Sequence, residues 1–120
     1  MVRRREAGAA HNGLDEWYWQ RLSAVVLLVL LPLPFALLVG VYCGRLDQLG
    51  LLDLLDSFTS RLLHTALILA VIAHAYLGLK MIIEDYVHTA GLRVPLIGSM
   101  LVLTGISGLW WLAIIWAWGG

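Results

Sequence analysis

Four histidines stand in a chain of 120 residues that is otherwise 61% hydrophobic. His74 is the one whose setting points to chemistry. It lies within an apolar run where an ionisable group is costly, so it must face a partner rather than lipid. On a helix, Leu67, Ala70, Gly78, Met81 and Asp85 fall on or near its face. The i−4 and i+4 neighbours, Ala70 and Gly78, are small and leave room for a flat macrocycle. A neutral imidazole with an open approach is a common axial ligand of haem iron. The same spacing also fits a histidine hydrogen-bonded to a neighbouring helix, with Gly78 serving helix packing.

His64 lies ten residues earlier, about 15 Å along the helix and about 80° around it. It reads as a polar residue near a membrane interface, or as a ligand for a second haem. His11 and His88 fall in polar segments and read as solvated or interfacial. Glu84-Asp85-Tyr86 closes the apolar run that holds His74. A phenol donates one hydrogen bond to a carbonyl, and a neighbouring carboxylate can hold it or relay protons. A quinone has two carbonyls and takes up two electrons and two protons, so such a pair would suit it. An acidic–aromatic helix end is more often a solvated interface. Asp85 follows His74 by eleven residues, which places it on the same face about 16 Å further along. Arg21, followed by Ser23, opens the first apolar run. Its guanidinium can anchor to lipid headgroups or hold a propionate or other carboxylate. Cys43 is the only cysteine and has no accompanying metal pattern, so it reads as inert.

These residues must be positioned by elements that cross a membrane. Charged residues make up 13% of the chain and the mean hydropathy is +0.85. Soluble domains average about 25% charged. The composition excludes a soluble globule, intrinsic disorder and a disulfide scaffold. Eight basic and eight acidic residues cancel, so no charge excess points to nucleic acid. Long stretches without charge predict an all-α fold of three transmembrane helices, roughly 22–43, 58–84 and 95–118, forming one membrane-anchor domain over 1–120. Asp56 and Ser57 are candidate N-caps for the second span, and Pro95 suits the first turn of the third. Pro32 and Pro34 predict a kink in the first. Arg61 and Lys80 can snorkel from the ends of the second span. Thr104 and Gly108 make a small-residue packing step in the third. The six tryptophans, Trp17, Trp19, Trp110, Trp111, Trp116 and Trp118, lie toward span ends as an interfacial belt. The connections, roughly 14 and 10 residues, are too short for an extramembrane domain.

Arg3, Arg4, Arg5, Arg21, Lys80 and Arg93 fall on one side, against Arg45 and Arg61 on the other. This bias predicts a cytoplasmic N-terminus and an external C-terminus. No cleavable signal is expected, and Glu6, Asp15 and Glu16 argue against a mitochondrial targeting segment. A transporter would need a polar pathway through several helices, and the first and third spans carry no charge.

Three stretches together resemble one family. They are Gln20-Arg21-Leu22-Ser23-Ala24, His74-Ala75-Tyr76-Leu77-Gly78 and Asp85-Tyr86-Val87. With the length, the three spans and the orientation, the chain resembles the smaller, D-type hydrophobic anchor of succinate dehydrogenase (respiratory complex II). The resemblance implies half of a two-subunit membrane anchor bundle. It implies His74 as one axial ligand of haem b, the other coming from a second cytochrome b anchor subunit. It implies Asp85 and Tyr86 at a ubiquinone or menaquinone site, and Arg21 near the haem propionates. Partners would be that second anchor, an iron–sulfur subunit and a flavoprotein in which succinate is oxidised, so the chain would not oxidise succinate itself. A bacterial inner membrane is the implied location. Some relatives reduce fumarate and some lack haem, which leaves a purely structural anchor as the alternative. His64 and the Pro32/Pro34 pair depart from the single-haem pattern.

Overall fold

A computed structural model of the chain describes the backbone of residues 2–117 and the side chains of residues 13–117. Its elements are all helices: α1 (Val2–Leu30), α2 (Pro32–Tyr42), α3 (Gln48–Asp56), α4 (Phe58–Tyr86) and α5 (Ala90–Ala117). Three helical stretches are long and apolar enough to cross a membrane: Gly13–Tyr42, Phe58–Tyr86 and Ala90–Ala117. Arg3, Arg4, Arg5, His11 and Trp118 lie outside the residues whose side chains are described.

The first span is interrupted where its prolines predict. Pro32 and Pro34 have no N–H to give to Leu28 and Leu30. The break falls at Leu31, which keeps helical dihedrals of −59° and −36°. The bond from Phe35 N–H to the Leu31 carbonyl is stretched to 3.5 Å. α2 then ends in a tight turn. Gly44 N–H reaches the Val41 carbonyl at 3.1 Å and Arg45 N–H the Gly40 carbonyl at 3.0 Å. Gly44 has φ +68°, the left-handed conformation such a helix end requires and glycine adopts without penalty.

The connection of roughly 14 residues contains more structure than its length suggests. Asp47 caps α3, its carboxylate accepting from Gly50 N–H at 2.8 Å. Ser57 lies between α3 and α4. Its hydroxyl accepts from Ser60 N–H at 3.2 Å and donates to the Leu54 carbonyl at 2.9 Å. Asp56 is thus the last residue of α3 rather than a cap of α4, and it pairs with Arg61. The third span also begins earlier than expected. α5 starts at Ala90, which puts Pro95 inside the helix instead of in its first turn. Only residues 87–89 separate α4 from α5.

α4 is the central helix. It packs against α1 and against α5, while no Cα of α1 comes within 8 Å of α5 among the described residues. α5 packs tightly on α4 at Gly108, which is buried. A Cβ built there would stand 3.2 Å from Ile72 Cγ1. Of the expected small-residue step, Gly108 makes the contact; Thr104 turns its hydroxyl onto the Met100 carbonyl at 2.7 Å. At the far end of this pair Trp116 packs edge-on to Phe58 and donates from Nε1 to Thr65 Oγ1 at 3.0 Å.

Among the described residues the buried side chains are few: Ser23, Leu67, Ile68 and Ala70, and Gly108 is buried as well. The apolar faces of all three spans are otherwise turned outward.

Candidate functional site

The α1–α4 seam carries polar residues in one antiparallel register. Glu16, Gln20 and Ser23 are spaced i, i+4, i+7 and so share a stripe of α1. They meet Lys80, Gly78 and His74 of α4 in that order. Glu16 forms an ion pair with Lys80, which also approaches Glu84 at 3.7 Å. Gln20 lays its amide over Gly78. Ser23 Oγ lies 3.1 Å from His74 Nδ1. Lys80, expected to snorkel to an interface, is held by a neighbouring helix.

His74 is half-buried near the centre of α4. The hydrogen bond to Ser23 occupies one ring nitrogen. Nε2 has no partner among the described residues. The small residues around His74 serve the packing of α1 on α4. Ala70 is buried, and a Cβ on Gly78 would come within 3.1 Å of Gln20 Nε2. Both let α1 approach α4, which brings Ser23 within reach of the imidazole. An apolar groove of about 540 Å³ runs beside the seam, lined by Trp19, Ser23 and Val26 of α1 and Ala70, Ala73 and Leu77 of α4.

The candidates at the Tyr86 end of α4 and at Arg21 make no polar side-chain contact with another helix among the described residues. Asp85 is exposed. Tyr86, the last residue of α4, is 80% exposed. Neither side chain makes a hydrogen bond or ion pair to a described residue. Arg21 is exposed, and its guanidinium lies 5.4 Å from the ring centre of Trp17, one turn earlier on α1. It makes no ion pair with a described carboxylate. His88 is exposed in the short α4–α5 connection.

His64 occupies a different place. Its Nδ1 lies 2.7 Å from the Ser60 carbonyl, to which it donates. The ring borders a cavity of about 460 Å³ whose walls include Pro34 of α2, Leu67 and Val71 of α4, and Ser107 and Trp111 of α5. The described residues contain no group of three or more His, Cys, Asp or Glu side chains able to hold a metal ion.

Sequence reasoning missed the part played by Ser23. The i, i+4, i+7 spacing of Glu16, Gln20 and Ser23 was visible as a polar stripe running into the first span. Its register against α4 was not, because nothing local encodes which residues of two antiparallel helices meet.

With the geometry in place, a family model described as "Succinate dehydrogenase/Fumarate reductase transmembrane subunit" matches residues 1–117. Comparison with curated proteins finds no match.

Proposed function

The chain belongs to the succinate dehydrogenase/fumarate reductase transmembrane subunit family, and from that premise we propose that it supplies one axial ligand to a b haem and part of a quinone site. It is a multi-pass membrane subunit. The proposed ligand is His74, and the observation that carries the proposal is its divided imidazole. Nδ1 is bonded to Ser23 on the neighbouring helix, and Nε2 is left without a partner among the described residues. Metal-bound histidines are held in this way, one nitrogen on the metal and the other on a protein group.

The donor set fits a shared haem. His64 also keeps one ring nitrogen on a protein group, the Ser60 carbonyl of its own helix, whereas His74 is held from a neighbouring helix; the second ligand is assigned to a partner anchor. When bound, a b haem supplies a one-electron centre inside the membrane. Arg21 is assigned to its propionates, where a guanidinium pairs with carboxylates.

Asp85 and Tyr86 are assigned to the quinone. Tyr86 donates a hydrogen bond from its phenol to a quinone carbonyl, and Asp85 passes protons toward it from the aqueous side. Their exposure in the isolated chain suits a site whose other wall belongs to a partner subunit. The complex so formed would also contain an iron–sulfur subunit and a flavoprotein, with succinate oxidised in the flavoprotein and electrons delivered to ubiquinone. The N-terminus is placed in the cytoplasm of a bacterial inner membrane, with the whole chain forming a single anchor domain.

The test is a comparison of two activities in the purified complex. Tyr86→Phe should lower succinate-dependent quinone reduction by about tenfold to a hundredfold, within the range of general acid–base contributions. It should leave succinate oxidation by an artificial dye unchanged. Equal loss of both activities, or no loss of either, would remove Tyr86 from the quinone site.

A further inference from the structure

We infer that Ser23 is the positioning residue for the His74 ligand: it fixes which ring nitrogen carries the proton and so sets the reduction potential of the haem. The inference rests on the reading of His74 as a ligand and adds to it a residue from a different helix.

The argument is one of proton counting. A serine hydroxyl has one hydrogen and two lone pairs. Ser23 donates that hydrogen to the Gln20 carbonyl, 2.9 Å away and one turn back on α1. Towards His74 Nδ1, at 3.1 Å, the same oxygen therefore accepts. The proton of the neutral imidazole is held on Nδ1, and the lone pair is left on Nε2, the nitrogen free to bind iron. Ser23 is only 7% exposed, so water does not compete for the bond. The helices come this close because Ala70 is buried in the seam and Gly78 lacks the Cβ that would press on Gln20. The bond also restrains the plane of the ring, since it reaches His74 from another helix.

An acceptor on Nδ1–H makes the opposite nitrogen more basic. A more basic ligand favours ferric over ferrous iron. Removing the acceptor should therefore raise the haem midpoint potential.

The experiment uses the assembled complex with Ser23→Ala, Ser23→Thr and Ser23→Val, read by redox titration of the b-haem absorbance and by the low-spin haem g values. Threonine keeps a hydroxyl able to back-bond within a helix; valine keeps its shape without one. Ser23→Ala and Ser23→Val should shift the ferrous-to-ferric ratio at fixed ambient potential by about threefold to tenfold toward ferrous, tenfold being 59 mV for one electron. Ser23→Thr should stay within about twofold of the native complex. If alanine fails to assemble, the threonine–valine pair decides. Identical potentials and g values for threonine and valine would overturn the role of Ser23. That outcome is separable from failure of the ligand reading, which shows as retention of the b haem after His74→Ala.

Discussion

His74 draws its setting from residues more than fifty positions away in the chain. Its type and its depth in an apolar run were legible in the sequence, because a mid-span imidazole has few reasons to exist. Its hydrogen-bond partner was not, since that depends on helix register. The two small neighbours were legible as small, with helix packing as one of two readings, and Gly78 accommodates Gln20 of α1. A side chain placed at position 78 thus tests the seam. Gly78→Leu should force α1 away from α4 and weaken the Ser23–His74 bond, costing about 1–3 kcal/mol as overpacking. The expected result is a lower Tm of the detergent-purified complex. The exposed Asp85–Tyr86 pair was equally legible, because an acidic–aromatic step at a span end needs no tertiary information.

At the scale of elements, uncharged gaps and proline positions carried most of the information. The three spans and the interruption at Pro32 follow from backbone hydrogen bonding in lipid, where each missing N–H must show. Helix α3 escaped notice because its pattern, Gln48–Asp56, occupies nine residues, too short to be marked by length. Two glycines of α5 separate packing from mere tolerance. Gly108 meets Ile72 closely, whereas a Cβ at Gly105 meets nothing within 4 Å. Gly108→Val should destabilise the complex by about 1–3 kcal/mol, while Gly105→Ala should be neutral or stabilising by up to about 1 kcal/mol. Parallel Tm measurements on the two variants check this; equal shifts would mean that α5 does not pack on α4 through Gly108. At the other connection, Asp47→Ala removes the cap of α3 and should cost about 1 kcal/mol, visible as faster proteolysis of the loop between the first two spans.

On the scale of the whole molecule, the chain is a row of spans rather than a closed bundle. α4 holds the centre, no Cα of α1 comes within 8 Å of α5 among the described residues, and the apolar faces look outward. Lipid satisfies much of that surface. The exposed Tyr86 and the half-satisfied His74 are the two places where the proposed function assigns a further partner. Composition announced the membrane at once, but neither composition nor spacing could show which helix faces pair within the chain and which are left outward.

The central claim, that His74 holds a b haem, is tested most directly by the reduced-minus-oxidised visible spectrum of the purified complex with and without His74→Ala. The native complex should show the absorption of a low-spin b haem, and the variant should lose or shift it while flavin and iron–sulfur content hold. A spectrum unchanged by the substitution would contradict the account.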